Sequence, residues 1–141
     1  MTIERIEALI GAGRFDEAII VTEREFRDEK SRFGRLLRIA AARGDEATAK
    51  TLLDQYIPVA TSKSFLMQMY ATLGQRQRAN EVAAEFDAMP FGDLTLIRAI
   101  HSCMCGAPFD LEATPDFAKR IEDAGLPWPP RSPIDWPLKS W

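Results

Sequence analysis

Histidine and cysteine are almost missing from this chain. One histidine and two cysteines occur in 141 residues, all within "HSCMC", as His101, Cys103 and Cys105. A structural metal site needs three or four converging ligands, usually drawn from two clusters, and there is no second cluster. On a helix His101 and Cys105 share a face while Cys103 points away from it. No metal and no cofactor are therefore expected. A metal- or thiol-dependent regulator using His101, Cys103 and Cys105 is the weakest of the functional readings. No nucleophile can be given a base either, because the only histidine lies beside the only cysteines. No catalytic residue is expected, and the chain does not read as an enzyme. Two cysteines this close cannot form an ordinary bridge, so a reducing cytoplasm is the expected compartment.

A basic excess is missing too. Eighteen Lys and Arg stand against 21 Asp and Glu, for a net charge of −3. Nucleic-acid binding needs a concentrated basic surface, so no nucleic-acid partner is expected. No apolar run approaches the ~20 residues that cross a bilayer, and the opening "MTIERIEALI" lacks the apolar core of a signal peptide; no membrane partner is expected. The glycines of "GAG" at Gly11 to Gly13 follow a helix-like stretch. They lack a third glycine or a following Lys-Ser/Thr, so they do not form a phosphate loop. Sustained two-residue alternation is absent, and with it the signal for strands.

What is present is helical spacing. Ile3, Ile6, Leu9 and Ile10 form one stripe, and Phe33, Leu36, Leu37 and Ala40 a second. Phe65, Leu66, Met69, Tyr70 and Leu73 form a third, and Leu94, Ile97, Ile100 and Met104 a fourth. Such spacing places apolar side chains on one helix face. Second helices are expected between the stripes, over Ala18 to about Glu29, Ala47 to Tyr56 and Ala79 to Met89. The joints repeat: "GRFDEA", "GDEATA" and "GQRQRA" each place a glycine (Gly13, Gly44, Gly74) five residues before an alanine (Ala18, Ala49, Ala79). With Gly106 the glycines follow one another at 31, 30 and 32 residues. A glycine just past a helix takes the left-handed conformation that closes the helix and turns the chain back. A small residue early in the returning helix lets the two helices approach. The fold expected is all-α: stacked antiparallel helical hairpins in an α-solenoid of about three to four units. Residues 1–126 are its domain and 127–141 an extended Pro/Trp-rich tail. The rival reading is an irregular bundle whose glycines only stop helices.

These joints resemble those of the tetratricopeptide repeat family. The third unit matches its pattern with Leu66, Tyr70, Gly74 and Ala79, and the second with Phe33, Leu36, Ala40, Gly44 and Ala49. In the first unit "GRFDEA" is similar to the family's hairpin turn, with Phe15 at the aromatic position, and Pro90 falls near a repeat end. The resemblance covers about residues 2–90. The period departs from it, being nearer 31 than about 34, as do Thr22 at a later aromatic position and Leu111 in place of the fourth alanine. It implies a concave groove lined by first helices. Arg38 and Gln68 would face that groove, with Ser64 and Thr72 as smaller neighbours. Arg35, Arg38, Gln68 and Thr72 are the partner-binding candidates. The family's lysine-and-asparagine clamp for C-terminal carboxylates is not at these positions, so binding of chaperone tails is not implied. The plainer reading of Arg32, Arg35 and Arg38 is ion pairing with Glu23, Glu25, Asp28 and Glu29 on the preceding helix. Arg38→Glu is then expected to weaken partner binding without unfolding the chain.

The tail holds all three tryptophans, Trp128, Trp136 and Trp141, and five of nine prolines. The last unit of a stack has an uncovered face, and three tryptophans can each bury on the order of 200 Å². The tail is expected to wrap back as a cap. It could instead be a proline-rich ligand, a swapped segment or disordered. A late second helix is expected at "TPDFAKRI", with Thr114 as N-cap and Gly125 closing its end.

The function expected is a non-catalytic interaction module, an adaptor or scaffold binding a protein or peptide partner. The alternative is a structural or assembly subunit acting as a homodimer, suggested by the wide apolar run Ala18-Ile19-Ile20-Val21.

Overall fold

The computed structural model describes residues 2–102 and 107–129. They divide into two compact units, the first running to Thr61 and the second beginning at Ser62. Among the described residues the fold is all-α, with eight α-helices, two short 3-10 turns and no strand. Cys103, Cys105, Gly106 and the tail beyond Pro129 lie outside the described residues, and so do the expectations placed on them.

The first unit contains α1 (Thr2–Gly11), α2 (Phe15–Glu25), α3 (Glu29–Arg43) and α4 (Glu46–Tyr56), followed by a 3-10 turn at Ile57–Val59. α1 pairs with α2, α2 packs on α3, and α3 pairs with α4. Ile6, Leu9 and Ile10 of α1 meet Ala18 and Val21 of α2 and Ile39 of α3 in one core. In the second unit α5 (Lys63–Thr72) pairs with α6 (Arg76–Asp87), and α7 (Gly92–Ser102) packs on both. A 3-10 turn at Leu111–Ala113 leads into α8 (Pro115–Asp123), which packs on α6. Here Met67, Ala79, Ala83, Leu96, Ala99, Phe109 and Phe117 form the core.

The joints behave as their residues require. Gly13, Gly44 and Gly74 have φ of 70, 82 and 72°, a region that costs other residues energy. The next residue's N–H reaches back to close each helix: Arg14 to Leu9 O at 2.9 Å, Asp45 to Ala40 O at 2.9 Å, Gln75 to Tyr70 O at 2.8 Å. This six-residue closure satisfies carbonyls that the helix end leaves open. Ala18, Ala49 and Ala79 are each 0% exposed, so the small residue five positions on sits where the two helices of each pair touch.

Three expectations need correction. α2 ends at Glu25, and Asp28 and Glu29 belong to the start of α3, where the Asp28 carboxylate accepts from Ser31 N at 2.8 Å. The stripe expected on α7 is out of phase. Leu96 and Ala99 are buried, while Leu94 and Ile97 are exposed. The cause lies at the joint: a Cβ on Gly92 would stand 1.6 Å from Phe86 O, so α7 starts against the backbone of α6 at a rotation no periodicity encodes. Finally, Thr114 holds the N-cap position of α8 without a side-chain cap bond. The carboxylate of Asp87, at the end of α6, accepts from Asp116 N at 3.0 Å and Phe117 N at 2.8 Å instead.

The loop after α7 is tied to α6 by side chains one helical turn apart. Arg76 donates to Ala107 O at 2.7 Å and to Asp110 Oδ1 at 2.9 Å. Asn80 donates to Asp110 Oδ2 and accepts from Asp110 N, both at 2.8 Å. Phe109 is thereby held in the core, where Phe117 lies 5.8 Å and Trp128 5.6 Å from its ring centre.

Candidate interaction surface

Arg35 and Arg38 lie on α3 in the first unit. Both nitrogens of the Arg38 guanidinium meet the Glu7 carboxylate of α1 at 3.0 Å, and Arg38 is only 13% exposed. Arg35 approaches the same carboxylate at 3.9 Å and stands over the Phe26 ring at 5.2 Å. Its Nε finds no acceptor among the described residues. Burial pulls Arg35 below the usual arginine range, and Glu7 opposes that shift. The partner of these arginines is therefore Glu7 on α1, where the acids of α2 were expected. Of the neighbouring basic groups, Arg43 pairs with Asp16 of α2 at 3.2 Å. This cluster fastens α1 to α3: a two-toothed guanidinium–carboxylate pair, largely sheltered, is the strong form of an ion pair.

Gln68 and Thr72 lie on α5 in the second unit. Gln68 is 6% exposed. The Thr72 hydroxyl donates to Gln68 O at 2.8 Å, the common way a helical threonine satisfies itself within its own helix.

The residues that do face solvent are ones the sequence reading placed in a core or passed over. Phe91 is 80% exposed, Leu94 63%, Met89 47% and Ile97 40%. Phe91, Leu94 and Ile97 follow at three-residue steps, which sets them on one face of α7 and its entry turn. Together the four leave on the order of 450 Å² of apolar surface, against roughly 300–600 Å² for the largest patch of a typical monomer. Area alone is thus unremarkable in kind; the backbone beneath it is not. Phe91 has φ of 61°, the one positive value outside glycine among the described residues. A bulky residue there is strained by about 1–2 kcal/mol. The strain follows from the joint: Met89 N bonds Phe86 O and Gly92 N bonds Met89 O, both at 3.0 Å, and the tight turn carries Phe91 outward. A signal for it was legible, since "PFG" puts an aromatic residue between proline and glycine, where core side chains are not usually found.

A shallow groove of about 610 Å³ runs beside α8, lined by Leu111, Pro115, Ala118, Ile121, Leu126 and Trp128. Trp128, the first tryptophan of the tail, packs against Phe109 and Phe117 and forms one wall. Among the described residues no cluster of His, Cys, Asp or Glu could hold a metal ion, and no helix is long and apolar enough to cross a membrane. No protein-family model, no curated protein and no solved structure matches the chain.

Proposed function

We propose that the chain is a non-catalytic protein-interaction module, built as a tetratricopeptide-like stack of helical hairpins, that offers the α6–α7 turn and the outer face of α7 to a protein partner. Phe91 carries this reading. It is a large apolar side chain held in solvent by a backbone conformation that works against the fold, so its contribution lies outside folding. Conflict between a local rule and the fold is expected at functional positions. Large aromatics beside smaller apolar residues are also the usual energetic centre of a protein interface. The repeat part of the reading is supported by the three joints, each with a left-handed glycine and a buried alanine five residues later. Arg35, Arg38, Gln68 and Thr72 belong to the same proposal as groove residues but carry less weight. Arg38 is already spent on Glu7, Gln68 is buried, and Thr72 is bonded within its helix.

The test compares columns carrying the immobilised wild-type chain and a Phe91→Ser/Leu94→Ser variant. The wild type is expected to retain a protein, another copy of itself included, that the variant releases, with far-UV circular dichroism unchanged between the two. Equal retention by both would remove α7 from the interaction.

A further inference from the structure

The α7 face has a shape that fits a second copy of the same helix. Leu94 sits at the middle of the exposed stripe, Phe91 on one side towards the N-terminus, and Arg98 on that same side one turn beyond Leu94. When two such helices lie antiparallel about a two-fold axis, residues on the same flank meet. An axis crossing α7 at Leu94–Thr95 brings the two Leu94 side chains together. It sets Arg98 over the Phe91 ring of the partner subunit, an arrangement that attracts guanidinium to aromatic face. Two arginines do not face each other, and the axis closes the assembly at two. The area sets the strength. About 450 Å² of apolar surface a side is roughly half of what a standard stable interface buries per partner, so the pair is weak.

We propose that the chain forms a weak two-fold dimer through the outer face of α7, with the two α7 helices antiparallel across Leu94. The inference rests on the reading of this face as an interaction surface and names its partner. The dissociation constant expected from the area is on the order of 10–100 µM.

Sedimentation equilibrium of the full chain, up to about 1 mM, tests it with the Leu94→Glu variant alongside. A monomer–dimer equilibrium is expected in the wild type, weakened about tenfold or more by a charge at the centre of the contact. Leu94 is 63% exposed, so the variant folds, and circular dichroism checks that it does. Two outcomes overturn the proposal: a wild type that stays monomeric throughout, or a Leu94→Glu variant that dimerises as well as the wild type. The second would place the contact elsewhere, for instance at Ile20, which is 61% exposed on α2. Failure here is distinguishable from failure of the surface itself. A monomeric chain whose column still loses a retained protein on Phe91→Ser/Leu94→Ser keeps the surface and loses the second copy.

Discussion

Replacing Gly92 by alanine sets two opposed effects against each other, and the structure decides between them. Gly92 is the first residue of α7. Helix preference alone favours alanine over glycine by about 1 kcal/mol or less. An alanine Cβ, however, would stand 1.6 Å from Phe86 O and 2.6 Å from its carbonyl carbon. Ordinary contact to an oxygen needs about twice the first distance, and the obstacle is backbone, which cannot rotate aside. The α6–α7 joint must open, and Leu96 and Ala99, both buried, must shift with it. Overpacking of a core costs about 1–3 kcal/mol where side chains can adjust, and a backbone clash belongs at or above the top of that range. A net loss of about 2–3 kcal/mol is expected from urea unfolding followed by far-UV circular dichroism. An alanine variant as stable as the wild type, or more so, would refute the description of this joint and with it the rotation of α7.

Other substitutions probe the remaining supports. Asp87→Ala removes the two cap bonds of α8 and is expected to destabilise by about 1–2 kcal/mol; Thr114→Val, which removes no cap bond, is expected to cost less, and an inverted order in urea melts would mean that Thr114 is the cap. Arg38→Ala leaves Glu7 with only the distant Arg35, and a loss of about 1–2 kcal/mol is expected; no loss would make the pair ornamental and return Arg38 to the list of groove residues. The Asn80 amide above all, and then Arg76, hold the Asp110 carboxyl below its ordinary value. Its folded value is thus lower than its unfolded one, so its contribution is complete above the unfolded value near 3.9 and fades as pH falls through the folded value. The stability gap between wild type and Asp110→Asn should therefore narrow as pH drops from about 5 to about 2.5; a gap independent of pH would contradict it.

What the sequence made legible was chemistry that acts over a few residues. Gly13, Gly44 and Gly74 each close a helix through bonds to the four or five residues before them, so a glycine in phase with an apolar stripe announces the joint. Ala18, Ala49 and Ala79 follow from the same local geometry. What it hid depends on residues far apart. Arg38 finds Glu7 31 positions away, and no spacing rule reaches that far; the expectation that Arg38→Glu leaves the fold undisturbed took no account of a carboxylate waiting there. The cap of α8 comes from Asp87 on another helix, 29 and 30 positions from the N–H groups it binds. The rotation of α7 is set by contact between Gly92 and Phe86, and so its stripe could not be phased from Leu94 and Ile97. Phe91 was passed over because aromatic residues at helix entries are usually core, and only its backbone conformation and exposure mark it otherwise.

The central claim is that Phe91 serves association and not the fold, and the unfolding free energy of Phe91→Gly tests it most directly. Relief of the left-handed strain favours the variant by about 1–2 kcal/mol. The added freedom of glycine in the unfolded chain opposes it by about 0.5–1 kcal/mol. Loss of the one-fifth of the side chain that is covered opposes it by somewhat under about 1 kcal/mol. These nearly cancel, so the variant is expected within about 1 kcal/mol of the wild type in urea. A loss of about 3–5 kcal/mol, the range for removing a buried phenylalanine, would mean that Phe91 is part of a core and that the surface proposed here does not exist.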